Sequence, residues 1–120
     1  MKLPETIKVC GLTYRIEFPY HFKERGDICG QHDGQMQVIR IDDLDSYDHS
    51  LRPDSSILVT FIHELLHAVD YVSGRRIFEG DEGEGIVKCF SQIIYQILND
   101  NGFLEVKATI EGPLLSKFKG

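Results

Sequence analysis

The sequence has few cysteines, no block of basic residues and no long apolar run, and each absence excludes a class of protein. Its three cysteines stand far apart, which argues against a disulfide framework and favours reduced thiols in a cytoplasmic protein. No Lys/Arg cluster exceeds two adjacent residues, and the formal net charge is −6. We therefore expect neither a nucleic-acid partner nor an anionic membrane surface.

Hydrophobic segments are interrupted throughout the chain. The longest mostly apolar run, residues 57–72, contains two histidines, a glutamate and an aspartate, so it does not predict a membrane span. The N-terminus lacks a continuous apolar stretch, and we expect no signal peptide. The 120 residues, 42% of them hydrophobic, suit one core. We therefore interpret residues 1–120 as one domain.

Alternation of apolar and polar residues predicts strands in the first half of the chain. Residues 7–18 alternate on both sides of Gly11, which predicts a β-hairpin. The Asp-Gly dipeptide at 33–34 favours a turn. A further strand is expected at 36–41, and residues 28–29 are its expected partner.

The apolar period then becomes helical. Residues 57–72 predict a first helix, with N-terminal cap candidates at 54–56 and a stop at Gly74. A second helix is expected to begin near residues 83–84 and to end at 99–102. Its apolar face comprises Ile86, Val87, Phe90, Ile93, Ile94, Ile97 and Leu98.

Together these patterns predict an α+β fold. A small antiparallel sheet of about three to four strands, from the N-terminal half, is expected to pack against two long helices. The last 18 residues have mixed character. They are expected to hold one short strand or a tail across the body.

The motif HELLH, residues 63–67, lies in the first predicted helix. Residues four apart in a helix are about 40° apart, so His63 and His67 can direct their rings at one point. Neutral imidazole is a good zinc ligand. Glu64 follows His63 directly, so it points to one side of the two histidines, towards the position of a metal-bound water. The alternative is an ordinary buried helix, but unpartnered buried histidines cost free energy. We predict a Zn²⁺ site.

A catalytic zinc ion needs a third protein ligand and leaves one position open. Asp70, one turn after His67, could bind the metal, accept an imidazole N–H or remain solvated, and the last two roles are favoured over the first. The segment EGDEGEG offers four more carboxylates. Glu84 is in register with the apolar face of the second helix and is favoured over Glu82. The four are Glu79, Asp81, Glu82 and Glu84.

HELLH followed by the helical sequence EGIVKCFS at 84–91 resembles the ImmA/IrrE-like metallopeptidases, whose second helix typically reads ExxANxFA. The similarity is greatest to short, phage-associated members, which are minimal gluzincin-type domains. It covers roughly residues 5–102. This chain departs from the family pattern at 87–88, where it has Val-Lys in place of Ala-Asn.

The resemblance implies a zinc metalloendopeptidase with His63, His67 and Glu84 as metal ligands. Glu64 would be the general base, taking a proton from the metal-activated water as it attacks a peptide carbonyl and passing it to the leaving amine. An extended peptide would lie along an edge strand of the sheet. The expected partner is a peptide or protein substrate, and it could be one specific partner protein.

Two alternatives stay open from the residues. The domain could instead be a metal-binding regulatory or interaction module with little general proteolytic activity. Glu64 argues for catalysis, because a structural zinc site has no use for a base and usually has a fourth protein ligand. Cys89 is a weak candidate for that ligand, since it faces away from Glu84 on the helix.

The donor that stabilises the oxyanion is also open among His32, His49, Tyr71 and Tyr95.

Overall fold

The structure, a computed structural model, describes residues 1–23 and 27–104. The strand or tail expected at the C-terminus lies, from residue 105 onwards, outside the described residues. Four strands are followed by two helices, which confirms the predicted α+β class. The elements are β1 (Thr6–Val9), β2 (Leu12–Glu17), β3 (Gly30–Asp33), β4 (Val38–Ile41), α1 (Asp54–Ser73) and α2 (Gly80–Asp100).

The four strands form one mixed sheet in the order β1-β2-β4-β3. The pairs β1–β2 and β3–β4 are antiparallel hairpins. The first was predicted; in the second, the partner of β4 is Gly30–Asp33 and not the expected residues 28–29. The pair β2–β4 is parallel, which differs from the expected antiparallel sheet. The chain crosses from the end of β2 to the outer edge of the sheet, enters there through β3, and returns through β4 beside β2. As a result β3 is an edge strand.

Arg40 on β4 ties three strands together on the face of the sheet that points away from the helices. Its guanidinium donates to the carboxylate of Glu17 on β2 at 2.9 Å and to the side-chain oxygen of Gln31 on β3 at 2.8 Å. The ring of Tyr20 lies 5.4 Å from the guanidinium carbon, within cation–π distance. These contacts hold the edge strand in register against β4.

The hydrophobic core lies between the sheet and α1. Tyr14 and Ile39 are fully buried on the sheet, and α1 contributes Ile57, Phe61 and Ala68. Helix α1 contacts β1, β3 and β4, whereas α2 packs on α1 and on no strand within the described residues. The expectation that both helices pack on the sheet is therefore wrong for α2. Helix α1 occupies the middle layer and has one side for the sheet and another for α2.

The N-terminus of α1 is not capped in the way its sequence predicts. The helix follows Pro53, and no side chain makes a capping hydrogen bond. The Arg52 guanidinium has no acceptor and cannot cap the free N–H groups. It holds the first turns of α1 to the preceding loop, because it donates to the carbonyl oxygen of Ser56 at 3.1 Å and to the hydroxyl of Thr60. The predicted stop is confirmed, because Gly74 ends the helix with φ 77°, a left-handed conformation that glycine adopts at little cost.

Helix α2 begins at Gly80, earlier than the predicted start at 83–84. Gly83 is buried, and a Cβ atom there would lie 2.4 Å from the carbonyl carbon of Phe78. The first turn of α2 therefore packs directly on the preceding backbone, which only glycine permits. A residue that lowers helix propensity in isolation is needed here for close packing.

Helix α2 buries less of its apolar face than its sequence predicts. Val87 is fully buried, and Ile94 and Leu98 are partly buried. One contact line with α1 covers only part of so wide a face. The members of the apolar face of α2 that remain exposed are Ile86, Phe90, Ile93 and Ile97.

None of the described helices is long and apolar enough to cross a bilayer.

Candidate metal centre and its cavity

Helix α1 directs its two histidines towards α2. The Nε2 atoms of His63 and His67 lie 2.7 and 3.0 Å from the two carboxylate oxygens of Glu84. The imidazole centroids are 4.9 Å apart. The potential ligand atoms of all three side chains lie within 4.8 Å of one another. The fold thus brings together the three side chains that the sequence nominates as ligands.

This donor set fits a zinc ion. Two imidazole nitrogens and one carboxylate oxygen are usual zinc ligands, and atoms bound tetrahedrally at about 2.0–2.1 Å are roughly 3.3 Å apart. The distances of 2.7 and 3.0 Å from the Glu84 oxygens to the two Nε2 atoms are somewhat shorter than this spacing. Burial lowers the pKa of His63, although Glu84 opposes the shift. Burial therefore favours the neutral imidazole, which is the form that binds a metal.

The competing carboxylates of the acidic segment are not part of the ligand cluster within the described residues. Glu82 is exposed and, two positions before Glu84, is rotated by about 200° around α2. Asp81 is also exposed. Glu79 pairs with the guanidinium of Arg76 at 2.8 Å. The geometry favours Glu84 as the third ligand.

Asp70 is buried, so the expectation of a solvated carboxylate is wrong. The expected role as acceptor of an imidazole N–H is not found either, since no histidine among the described residues donates to it. Its two oxygens accept the N–H groups of Ile77 and Phe78, both at 2.9 Å, and it is not part of the ligand cluster. These bonds tie the loop before α2 to α1. Asp70 therefore positions the helix that carries Glu84. Its position one turn after His67 indicates a hydrogen-bond acceptor close to the motif. Spacing along the chain does not show that the donors are the backbone amides of the following loop.

Glu64 is buried, with 8% of its surface exposed, and it faces the edge strand. A Cβ atom at Gly30 would lie 2.9 Å from its Oε2, so glycine is required for β3 to pass this close. In the part of the chain that the structure describes, its carboxylate has no hydrogen-bond partner. Burial, followed by the charge of Glu84, raises the pKa of Glu64 to about 8.

A cavity of about 270 Å³ opens beside the ligand cluster. Of the four candidate oxyanion donors, His32 and Tyr71 line it. Tyr95, which is half-buried on α2, and His49, which is in an exposed loop, are not among the lining residues. The lining residues are His32, Glu64, His67, Asp70, Tyr71 and Glu79.

Strand β3 forms the wall of this cavity opposite α1. His32 is hydrogen-bonded through Nε2 to the hydroxyl of Tyr14 at 2.9 Å, and its ring meets that of Tyr71 edge-on with centroids 5.4 Å apart. Gly34 allows this packing, because a Cβ atom there would lie 2.6 Å from the Tyr71 ring. Burial lowers the pKa of His32 and raises that of Tyr14. Sequence reasoning missed the roles of Tyr14 and of the close approaches at Gly30 and Gly34, although a glycine in a strand, such as Gly30, often marks one.

A second cluster, formed by His21, Asp42 and Asp43, lies at the end of β4. Asp42 is buried, but its oxygens already accept the N–H groups of Phe22 and Leu44 at 3.5 and 3.0 Å. His21 is hydrogen-bonded to Asp43 at 3.1 Å. These contacts account for the cluster as a support for the surrounding loops.

The three cysteines are unpaired. Cys10 and Cys89 are exposed, and the thiol of Cys29 lies 3.8 Å from the hydroxyl of Thr60. No cysteine belongs to a potential metal-ligand group within residues 1–23 and 27–104.

Comparison of the chain with models of protein families, with curated proteins and with solved structures found no match. The resemblance to the ImmA/IrrE-like metallopeptidases therefore depends on the residues at 63–67 and 84–91.

Proposed function

We propose that this chain is a zinc-dependent metallopeptidase of the ImmA/IrrE-like, gluzincin type. The observation that supports it most strongly is the position of Glu84, which comes from a different helix yet lies within 3.0 Å of the Nε2 atoms of both His63 and His67. Beside this cluster Glu64 is only 8% exposed, lines the cavity and has no hydrogen-bond partner for its carboxylate among the described residues. Burying such a group costs free energy, and groups of this kind concentrate at functional sites.

Each side chain of the cluster has a distinct role in this proposal. His63, His67 and Glu84 hold the metal, and a bound zinc ion supplies a Lewis acid that lowers the pKa of a water molecule and polarises a carbonyl group. Glu64 accepts the proton of the water as its oxygen bonds to the carbonyl carbon. Glu64 then donates this proton to the amine nitrogen as the C–N bond breaks.

No strand within residues 1–23 and 27–104 pairs with the outer edge of β3, and this edge supports a peptide as the substrate. The Asp42 N–H donates to the carbonyl oxygen of Cys29 at 2.9 Å, so Cys29 and Asp42 are a hydrogen-bonded pair. The antiparallel pairing of β3 with β4 continues from this pair without a shift in register. Because hydrogen-bonded pairs alternate in such a ladder, the N–H and C=O groups of Gly30 and His32 face the open edge. An unstructured peptide can add there as a further strand, directly beside Glu64.

A metal-binding interaction module is the second candidate. It is favoured by the exposed apolar stripe on α2, formed by Ile86, Phe90, Ile93 and Ile97, because such a helical face can bind a partner protein. The two candidates share the metal ligands but differ in the role of Glu64. In a peptidase, replacement of the Glu64 carboxyl abolishes peptide cleavage. In an interaction module, the same replacement leaves binding of the partner protein unchanged.

The metal site is tested by elemental analysis of protein purified without chelators. We expect about one zinc ion per chain in the wild type and in the Glu82→Gln variant, and almost none in Glu84→Gln. Glu82 is a matched control because it is an exposed glutamate on the same helix, two positions away. Absence of zinc from the wild type, or its loss from both variants alike, would contradict the assignment.

Catalysis is tested with fluorescently labelled casein and with a library of unstructured peptides. The Glu64→Gln variant should retain zinc and lose cleavage by a factor of about 10² to 10⁴. Cleavage that persists at the wild-type rate would refute the role of Glu64. A wild type that binds zinc and cleaves none of these substrates would favour the interaction module.

A further inference from the structure

His32 is a polar group at the candidate site that the proposed reaction does not yet use. It lies on the edge strand β3 and lines the cavity together with Glu64 and His67. Its neighbour Gly30, two positions earlier on the same face of the strand, is packed against Glu64. His32 therefore stands on the wall along which a paired peptide would run.

The hydrogen bond with Tyr14 determines which ring nitrogen of His32 carries the proton. Tyr14 is 0% exposed, and Nε2 of His32, at 2.9 Å, is the only partner of its hydroxyl within the described residues. A buried hydroxyl without an acceptor costs free energy, so Tyr14 donates and Nε2 accepts. Since a neutral imidazole has one donor and one acceptor nitrogen, the proton of His32 is on Nδ1.

His32 lines the cavity, and the Nδ1–H group of its ring is not engaged by another described residue. The ring is held by the hydroxyl of Tyr14 on one side and by the edge of Tyr71, at 5.4 Å between centroids, on the other. A donor whose direction is set in advance stabilises developing negative charge without reorganising during the reaction.

We propose that the Nδ1–H of His32 donates a hydrogen bond to the carbonyl oxygen of the scissile peptide as that oxygen gains negative charge, and that Tyr14 is the positioning residue that keeps this proton on Nδ1. The proposal rests on the proposed peptidase function. Tyr71 also lines the cavity, but this residue is 37% exposed and its ring stacks under the Arg76 guanidinium at 4.8 Å. Its hydroxyl has no partner to direct it among the described residues.

The tautomer can be measured without any assay of activity. Long-range ¹H–¹⁵N correlation spectra of the zinc-loaded, ¹⁵N-labelled protein at pH 7.5 distinguish a protonated from an unprotonated ring nitrogen, and the signals missing from His32→Asn assign the residue. We expect Nδ1–H in the wild type and a substantial population of Nε2–H in Tyr14→Phe, which keeps the shape of the ring but lacks the donor. The Nε2–H tautomer in the wild type would overturn the inference.

Kinetics test the role of the donor. In His32→Asn the amide nitrogen takes the place of Nδ1, whereas in His32→Gln it takes the place of Nε2. We expect kcat to fall by about 10² to 10³ in His32→Gln, by at most about tenfold in His32→Asn, and by about tenfold in Tyr14→Phe. KM and zinc content should change little, and thermal unfolding should verify that the variants are folded.

The outcomes separate this inference from the proposed function. If the wild type cleaves peptides and His32→Gln has the same kcat, or if Tyr71→Phe loses more kcat than His32→Gln, the assignment of His32 is wrong and the peptidase function stands. If the wild type cleaves no peptide, the peptidase function fails, and the role of His32 fails with it.

Discussion

Replacing Glu64 by glutamine should make the metal-free protein more stable at neutral pH, even though it removes the proposed base. Glu64 is 8% exposed, and its carboxyl has no hydrogen-bond partner among the described residues and lies near the charge of Glu84. Ionising it inside the fold is therefore unfavourable. Glutamine has nearly the same shape as a protonated glutamic acid and carries no charge, so the variant avoids this penalty without losing a hydrogen bond.

The size of the effect follows from a pKa of about 8 for Glu64 in the folded, metal-free protein against an ordinary value of 4.5. Below pH 4.5 the carboxyl is protonated in both the folded and the unfolded state, and there is no penalty. Between pH 4.5 and 8 the unfolded chain releases the proton and the folded protein keeps it, so the free energy of unfolding falls as the pH rises. The loss is about 3 kcal/mol at pH 7 and about 5 kcal/mol well above pH 8.

Urea unfolding of the zinc-free wild type and of Glu64→Gln at pH 5, 7 and 8 measures this difference. We expect the variant to be more stable by about 2–3 kcal/mol at pH 7 and by less than about 1 kcal/mol at pH 5. Glu5→Gln is a matched control, because Glu5 is exposed and its replacement should change stability by less than about 0.5 kcal/mol. With zinc bound, the positive charge lowers the pKa of Glu64, and the gain should shrink.

Two results would refute this reasoning. One is a Glu64→Gln variant that is less stable than the wild type at pH 7 in the absence of metal. The other is a stability difference that stays constant between pH 5 and pH 8. Either result would mean that the fold accommodates the ionised carboxylate of Glu64 without a burial penalty.

Three further perturbations test how the site is built. Asp70→Asn should lower the free energy of unfolding in urea by about 1–3 kcal/mol, because the hydrogen bonds from the amides of Ile77 and Phe78 lose their charged acceptor. It should also speed the loss of zinc to a chelator. Unchanged stability would contradict the role of Asp70 in holding the loop before α2. Gly83→Ala should destabilise by more than about 2 kcal/mol, because its methyl group would meet the Phe78 backbone, whereas Gly85→Ala, in open space, should stabilise by up to about 1 kcal/mol. Equal shifts of Tm in the two variants would argue against the close approach. Removing zinc with a chelator should lower Tm, and zinc at 100 times its Kd should restore about 2.7 kcal/mol; a Tm independent of zinc would contradict the metal site.

Features that depend on neighbouring residues could be predicted from the sequence. The antiparallel hairpins follow from alternation and from turn residues, and the end of α1 follows from Gly74, which has φ 77°. The parallel pairing of β2 with β4 could not be predicted, because it depends on the path of the chain between strands. For the same reason the sequence did not show that β3 is an edge strand.

The start of α2 shows how packing can reverse a local preference. Gly83 and Gly85 both argue against a helix when only propensity is considered. In the fold, Gly83 is the residue that lets the first turn of α2 rest on the carbonyl group of Phe78. The helix therefore begins at Gly80. This contact sets the rotation of α2 and, with it, the direction of Glu84.

The sequence by itself determined that two imidazoles and a carboxyl share one turn of a helix, because the four-residue spacing of His63 and His67 places them on one face of any α-helix. Only the tertiary structure decided which acidic side chain meets them. Asp70 and Gly83 orient α2 through contacts with loop backbone, and the outcome is that Glu84 faces the histidines while Glu82 faces solvent. Contacts of this kind join residues that are not periodic in sequence, so no pattern along the chain could predict them.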